Sequence, residues 1–482
     1  MAVLTSMIFS PKKRFGRQAD AADVSSEQAP VIDPQETNPA RFTHGDIRRH
    51  VFVMASTGAI GLMAVFAVDL LNFYYISHLH DPNLTAAIGF AGSISYIQIA
   101  LSIGMTIGLG ATIGRLLGAG RLVRARYYAS CFIAFMFCIS AALGVVTLIF
   151  AYDLLSALGA RGEVLRQATT YLQLTSFGLP LVCLGMAQSA LLRTTGDARR
   201  SMQVSLIGAV VSALLDLILI FGFNLALVGA AISTIISRFA VVTAAYLSLR
   251  RHRILTWPRM EFFSASLKEV GAVALPAVAT NIATPFGGVF VTHAMARFGA
   301  EAISGQTTID RIIPVAFAFV FALTGSVGPI VSQNYGAQYY HRVRETLVAS
   351  LKMTLICVII TWITLYVFQC EIVTIFAPKG VALDIVHLFC DYLVASYFFL
   401  GLLFVSNTIF NNLSRPLFST GFNWGRATLG TIPLVWIGAH WGPFGILYGQ
   451  AVGMIIFGSV AVLTAFWVVN HLDQATPQKT LK

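Results

Sequence analysis

The sequence predicts an all-α integral membrane protein with twelve transmembrane helices in two pseudo-symmetric six-helix lobes around a central cleft. Three observations lead to this fold class: an apolar composition, twelve apolar stretches of spanning length, and a repeat between the two halves. Of the 482 residues, 56% are hydrophobic and only 11% are charged, and the mean hydropathy is +0.75. Soluble globular proteins carry roughly 25% charged residues, so this composition excludes that class.

Twelve apolar stretches of about 20 residues follow one another from about residue 50 onward. A helix of that length spans about 30 Å of hydrocarbon, because it rises about 1.5 Å per residue. The stretches are far longer than the roughly 10-residue alternating strands of a membrane barrel, which excludes that architecture. Their centres lie near residues 62, 98, 138, 178, 212, 238, 283, 315, 356, 398, 432 and 457.

The basic residues indicate the orientation of these helices. If both termini are cytoplasmic, the segments on that side carry 26 Lys and Arg, and the opposite loops carry four. This asymmetry follows the positive-inside rule. The cytoplasmic count includes Arg415 and Arg426, which lie between the tenth and eleventh apolar stretches. Because the net charge of +11 is spread over short tracts rather than one solvated face, it does not indicate nucleic-acid binding.

An internal repeat indicates two halves of the same orientation. The chain reads GLGATIGRLLGAGRLVRAR from residue 108 and SVGPIVSQNYGAQYYHRVR from residue 326. Gly110, Gly118, Ala119, Arg124 and Arg126 recur 218 residues later as Gly328, Gly336, Ala337, Arg342 and Arg344. Such halves are typical of transporters that bind their substrate at the repeat interface. The predicted organisation is a disordered cytoplasmic tail (1–46), an N-terminal lobe (47–250), a cytoplasmic amphipathic linker (251–270), a C-terminal lobe (271–470) and a cytoplasmic tail (471–482).

Two aspartates lie within apolar helices, where an ionisable group is costly and therefore needs a partner or a use. Asp69 lies late in the first helix, and Asp216 lies in the fifth with no Lys or Arg within four residues. We expect both carboxyls to lack a basic companion and to exchange a proton between the two sides of the membrane. Ser212 and Asn72 share the helix faces of Asp216 and Asp69. The structural alternative is a neutral aspartic acid that hydrogen-bonds to a neighbouring helix.

Other polar residues are secondary candidates or carry no chemistry. Asp310 lies within the eighth helix, next to Arg311, and His293 lies near a helix end. The chain contains no GxxxxGK[ST], HExxH or GxSxG motif, so we expect neither an enzyme nor an ATP-driven pump. We also expect no structural metal and no cofactor apart from the coupling ion.

The repeat and its motifs resemble the multidrug and toxic-compound extrusion (MATE) family over residues 47 to 470. The resemblance is carried by VDLLNFYYISHL, LLRTTGDARRSM, VGAAISTIIS and GPIVSQNYGAQYYHRVRE. Within the family, the chain is most similar to the branch named for DNA-damage-inducible protein F. That resemblance implies a site for H⁺ or Na⁺ at Asp69 and Asp216, assisted by Tyr171 and Thr234, with Ser212 where an asparagine is usual.

The chain departs from the family pattern at several positions. Leu217 replaces the proline that usually follows the fifth-helix aspartate, and Met54 replaces a first-helix proline. The NorM-type branch has acids in the seventh and tenth helices, where this chain has Thr284 and Leu402. The resemblance therefore does not favour that branch.

The resemblance implies a multi-pass antiporter of the bacterial inner membrane, and we expect it to be a monomer. The charge asymmetry predicts that both termini are cytoplasmic. The antiporter would export small amphiphilic, often cationic compounds in exchange for H⁺ or Na⁺. Its other expected partner is membrane lipid, and we expect no nucleic-acid partner. The main rival function is a flippase for lipid-linked oligosaccharides, which would line its cavity with several arginines. Only Arg238 and Arg311 lie within the predicted helices. A passive channel and a membrane-embedded enzyme are rivals from two further functional classes.

Overall fold

The computed structural model describes residues 40–77, 82–223, 225–376 and 379–472, and these residues form helices and no strand. The spans of the first half are α1 (Ile47–Ser77), α2 (Pro82–Gly118), α3 (Leu122–Ala157), α4 (Gly162–Phe177 and Leu179–Thr194), α5 (Ala198–Asp216, continued by a π-helix over Leu217–Gly222) and α6 (Ala226–Arg250). Those of the second half are α7 (Met260–Ala296), α8 (Ala300–Ala316 and Ala318–Gly336), α9 (Tyr340–Val367), α10 (Val381–Asp391, Leu393–Ser396 and Tyr397–Asn412), α11 (Pro416–Ala427 and Ile432–Gly438) and α12 (Gly442–Asn470). Short helices at Arg41–Thr43, Gln369–Phe376 and Ala439–Trp441 complete the described chain.

These helices make twelve crossings. Nine segments are long and apolar enough to cross a membrane, and the bent pairs α4 and α8 bring the number to 11 within the described residues. One of the nine covers residues 416–470. Its 55 residues would reach about 80 Å as one helix, against the roughly 30 Å of hydrocarbon. The structure divides it into α11 and α12, so the predicted fold is confirmed and each predicted centre falls within its span.

Two crossings are bent where a proline interrupts the helix. The two segments of α4 meet at 47° beside Pro180, and those of α8 meet at 47° just after Pro314. Proline removes a backbone donor and crowds the preceding turn, which accounts for both bends. Helix α7, by contrast, continues through Pro276 and Pro285 without a break.

The two lobes cross at the ends of α2 and α8. A Cβ atom on Gly118 would overlap the carbonyl oxygen of Gln333, and one on Gly336 would overlap that of Arg115. Gly118 and Gly336 are 218 residues apart, as are Arg115 and Gln333, so the repeat relates the two contacts to each other. Glycine is required at both positions because the backbones touch. The repeated glycines are thus the points at which the halves pack about a pseudo-two-fold axis.

Further contacts close the lobes at the end that carries the basic loops. The side-chain amide of Gln333 in α8 donates to the carbonyl of Thr194 in α4 at 2.7 Å. The hydroxyl of Ser326 donates to the carbonyl of Met54 in α1 at 2.9 Å. The lobes therefore meet at this end, and the central cleft lies beyond it.

The ordered part of the chain begins earlier than the predicted lobe boundary at residue 47. Phe42 is 2% exposed, and its backbone N–H donates to Oε1 of Gln333 at 2.9 Å. Its carbonyl accepts from Nδ2 of Asn334 at 3.1 Å. Phe42 and Thr43 are thus buried because the backbone of Phe42 finds partners on α8, while Arg41 donates to the carbonyl of Gly196 in the N-terminal lobe. Residues 1–39 and 473–482, which contain the rest of the predicted tails, lie outside the described residues, and α7 already begins at Met260 within the predicted linker.

Candidate functional site

Asp216 is buried at the end of the regular part of α5, with 0% of its surface exposed. Its carboxylate accepts hydrogen bonds from two serine hydroxyls. Ser212, one helical turn earlier, donates to Oδ2 at 3.4 Å, and Ser233 of α6 donates to Oδ1. Hydroxyl groups donate or accept according to need. These two can therefore satisfy the carboxyl group with or without a proton.

The backbone changes its helical form directly after Asp216. From Leu217 to Gly222 the chain follows a π-helix, and the N–H of Phe223 reaches the carbonyl of Ile218 at 3.0 Å. Such wide turns are rare and occur frequently at functional sites. The wide turn begins at Leu217, the position at which the family resemblance expects a proline. A proline at this position would likewise interrupt the regular helix beside the carboxylate.

The α6 hydroxyl that contacts Asp216 belongs to Ser233, whereas the resemblance pointed to Thr234. The hydroxyl of Thr234 donates to the carbonyl of Ala230 in its own helix at 2.9 Å. Adjacent residues point about 100° apart around a helix, so only one of the two can face α5. Spacing along the chain does not determine which, because that depends on the rotation of α6 against α5.

Asp69, Tyr171 and Arg238 extend the site towards α1, α4 and α6. Tyr171 lies within electrostatic range of both Asp69 and Asp216. Arg238 lies within range of Asp69 and of Tyr171. Asp69 is nine residues after Ile60, which is 49% exposed on the outer surface of α1. Nine residues correspond to about 900° of rotation, so Asp69 points to the opposite, inner side.

The expectation that both aspartates lack a basic companion is therefore wrong for Asp69. Arg238 of α6 supplies a positive charge near Asp69, and sequence analysis missed it because the two residues are far apart in the chain. For Asp216 the expectation agrees with the structure, where the partners within the described residues are the hydroxyls of Ser212 and Ser233. The N-terminal lobe thus holds one carboxyl beside an arginine and one surrounded by hydroxyls.

The two secondary candidates differ in position. Asn72 lies one turn beyond Asp69 in α1, and its Oδ1 is buried without a hydrogen-bond partner among the described residues. Asp310 belongs to α8 in the other lobe, where its Oδ1 accepts from the amide of Gln306 at 2.9 Å. Asp310 is therefore not part of the N-terminal cluster.

Arg426 is a charged residue that sequence analysis misplaced. The charge count assigned it to a loop, but it lies ten residues into α11, about 15 Å along the helix, and is only 8% exposed. Its Nη2 donates to the hydroxyl of Thr284 in α7 at 3.2 Å. The surrounding residues FNWGRATLG are too polar and too rich in glycine to look like part of a spanning helix.

Comparison with known proteins points to one family. The MatE family model matches residues 59–218 and, a second time, residues 276–437. The FAD transporter of Shewanella oneidensis is 28% identical over 401 residues, which cover 82% of this chain and 88% of that protein. The multidrug export protein MepA of Staphylococcus aureus is 24% identical over 429 residues, which cover 87% and 93%.

Solved structures share the architecture. A multidrug resistance MATE family transporter in an outward-facing conformation superposes with a TM-score of 0.86 at 19% identity, covering 92% of this chain and 100% of that chain. The MATE transporter VcmN of Vibrio cholerae gives a TM-score of 0.83 at 23% identity, covering 90% and 98%. These similarities establish two six-helix lobes around a central cleft.

Proposed function

The chain belongs to the MatE family of multi-pass membrane transporters and is not an enzyme, and from this we propose that it is a secondary antiporter. It exports amphiphilic, often cationic organic compounds across a bacterial inner membrane in exchange for protons, with both termini in the cytoplasm. The coupling site is the N-terminal cluster of Asp69 and Asp216, with Tyr171 within electrostatic range of both. It resembles that of the branch named for DNA-damage-inducible protein F.

The observation that carries the proposal is the hydroxyl environment of the fully buried Asp216. A nearby arginine, such as Arg238 beside Asp69, favours the charged form of a carboxyl group. Asp216 instead faces Ser212 and Ser233, which can donate to its charged form and accept from its protonated form. Such a carboxyl group can gain and lose a proton without leaving a buried polar atom unpaired.

The position of the cluster provides a route for the proton. Asp69 lies late in α1 and Asp216 late in α5, beyond the end at which the lobes touch. In this conformation the cluster is nearer the side opposite the basic loops, which we propose to be the outside. A proton from that side reaches Asp69, the more exposed of the two, and then Asp216, and Tyr171 lies within electrostatic range of both carboxyl groups.

Coupling requires that the proton favour one arrangement of the lobes. A ligand shifts a two-state equilibrium only by its difference in affinity for the two states. We propose that protonation of the cluster favours the state that releases substrate to the outside, and that loss of the proton to the cytoplasm resets the transporter. Sodium is the second candidate ion, because carboxylate, hydroxyl and phenol oxygens also suit a hard cation.

Substrate uptake into proteoliposomes under an imposed pH gradient tests this proposal. Asp216→Asn keeps the size of the side chain but cannot exchange a proton, so we expect gradient-driven uptake to fall at least tenfold. Asp153→Asn, at an exposed acid near the end of α3, should stay within twofold of the wild type. Full uptake by Asp216→Asn at equal protein abundance would contradict the proposed coupling site.

Two additional measurements distinguish an antiporter from a channel and H⁺ from Na⁺. An ionophore that dissipates the pH gradient should abolish concentrative uptake by an antiporter, whereas flux through a passive channel would be insensitive to it. Replacing the pH gradient by a sodium gradient identifies the coupling ion. Uptake driven by sodium alone would replace the proton in the proposal.

A further inference from the structure

A positive charge is buried in the C-terminal lobe without an ion pair. Arg426 is only 8% exposed, and no carboxylate among the described residues lies within 4.0 Å of it. Its Nη2 donates to Thr284, but its Nε is buried without an acceptor in the described part of the chain. An arginine at this depth is costly unless a partner or a ligand compensates it. The structure therefore leaves one buried donor of this arginine without an acceptor among the described residues.

The side chain bound to Arg426 faces the central cleft. Helix α7 has an outer surface marked by Leu275 and Val289, which are 74% and 72% exposed. Thr284, nine residues after Leu275, is half a turn away from that surface at about 100° per residue, and it is also exposed. Nearer the basic loops, the inner side of α7 is covered by α2, whose Gly108 touches Ala274. Thr284 lies beyond this contact, where the inner side is open.

Tyr397 lies at a helix break on the same side of the C-terminal lobe as Arg426. Tyr397, the first residue of the last segment of α10, lies within electrostatic range of Arg426 and is 9% exposed. Its ring stacks on Phe317, 4.5 Å between centroids, at the break before the second segment of α8. The N–H of Tyr397 already donates to the carbonyl of Val394 in the preceding segment. The group that Tyr397 contributes to this region is therefore its hydroxyl.

Asp310 is the acidic residue that faces this region. It lies within electrostatic range of Tyr397, but its resolved hydrogen bond is to Gln306. It does not form an ion pair with Arg426 in the described structure. The arginine therefore remains available to an acceptor that enters from the cleft.

We propose that Arg426, Thr284 and Tyr397 form a subsite for the acidic group of a transported molecule. A guanidinium binds carboxylate or phosphate oxygens through parallel N–H donors, and the two hydroxyls are further donors. The inference rests on the proposed transport of amphiphiles and narrows their class. The substrates include compounds that carry a carboxylate or phosphate group beside an aromatic or cationic body.

Equilibrium binding to the full chain in lipid nanodiscs tests the subsite without requiring coupled transport. The probes are two pairs of fluorescent compounds: rhodamine 110 and its methyl ester rhodamine 123, and riboflavin 5′-phosphate and riboflavin. The first pair tests a carboxylate and the second a phosphate. We expect the wild type to bind the acidic member of at least one pair about tenfold more tightly, as measured by fluorescence anisotropy.

Substitutions then assign that preference to the arginine. Arg426→Gln should remove the preference while leaving the affinity for the neutral or esterified member within twofold, which also shows that the variant is folded. Arg426→Lys should retain part of the preference, because it keeps the charge but not the planar fork. Arg297→Gln, at an exposed arginine after α7, is the matched control and should behave as the wild type.

Three outcomes would overturn the subsite. The first is a wild type that shows no preference for the acidic member. The second is an equal loss of affinity for both members in Arg426→Gln, and the third is a preference for the acidic member that Arg426→Gln keeps. If Arg426→Gln does not fold, Thr284→Val provides the same comparison with a smaller change. Asp216→Asn should keep the binding preference although it loses proton-driven uptake. Failure of the subsite and failure of the proposed antiport are thus seen in different measurements.

Discussion

Ser233 and Thr234 are neighbours in α6, but they have different hydrogen-bond partners. Ser233 donates to the carboxylate of Asp216, whereas Thr234 donates to Ala230 in its own helix. A hydrogen bond to a charged group contributes about 1.5–3 kcal/mol, and about 1.4 kcal/mol corresponds to a factor of ten. We therefore expect Ser233→Ala to lower pH-driven uptake in proteoliposomes about tenfold. Uptake by Thr234→Val should stay within twofold of the wild type. A larger loss in Thr234→Val than in Ser233→Ala would instead assign the role to Thr234, as the family resemblance implies.

The candidate site was predictable wherever spacing along one helix determines contact. Ser212 and Asp216 are four residues apart, so the sequence places them on one face. Arg238 and Arg426 could not be paired in the same way, because their partners lie on other spans and depend on helix rotation. The composition around Arg426 also hid its span. What sequence analysis missed is therefore mainly contacts between helices.

Asp197 anchors the start of α5 in a setting outside the membrane spans. Its Oδ1 accepts from the N–H of Arg200 at 3.2 Å, and its Oδ2 lies 3.0 Å from Nε2 of His252 and 2.9 Å from Nη1 of Arg200. Burial by itself raises the pKa of Asp197, but the hydrogen bonds from His252 and Arg200 and their charges hold that pKa below its ordinary value of 3.8. The carboxylate thus ties α5 to the segment after α6.

This pKa has a testable effect on stability. A carboxyl group whose pKa is lower in the folded state stabilises the fold above its unfolded pKa, and the contribution disappears as the pH falls through the folded value. The group is partly exposed, so Asp197→Asn should cost about 1 kcal/mol or less. We expect the melting temperature of Asp197→Asn in detergent to lie about 2 °C below that of the wild type at every pH between 5 and 8. The difference should shrink below about pH 4, and a difference that grows there would contradict the assignment.

At the scale of helices, hydropathy predicted all twelve spans because the length of a crossing is set by the bilayer. The interruptions within spans were less visible. Both bends lie beside a proline, Pro180 and Pro314, yet α7 remains continuous through two prolines. The π-helix after Asp216 follows an unbroken run of apolar residues that carries no turn signal. Such local forms depend on packing against neighbouring helices, which periodicity in one segment does not report.

The whole molecule holds its lobes together at one end, and transport by alternating access requires that this end open. Helix α1 contacts both the opposite lobe and its own lobe near this end. A Cβ atom on Gly58 would lie 3.3 Å from Cβ of Ala322 in the opposite lobe. One turn further, a Cβ atom on Gly61 would lie 3.3 Å from Cβ of Ser205 in the same lobe. Disulfides join Cβ atoms about 3.5–4.5 Å apart, so both pairs need shifts of only a few tenths of an ångström.

These two pairs allow a matched test of lobe separation. In a background without the six native cysteines, which are free thiols, we expect oxidised Gly58→Cys/Ala322→Cys to lose at least nine-tenths of its uptake and to recover it on reduction. The cross-link would hold α1 against α8 and keep the closed end from opening. Oxidised Gly61→Cys/Ser205→Cys joins α1 and α5 within the N-terminal lobe and should keep uptake within twofold. Full uptake by the oxidised cross-lobe pair would show that the lobes do not separate at this end. Transport would then proceed while the contacts at the repeated glycines stay closed.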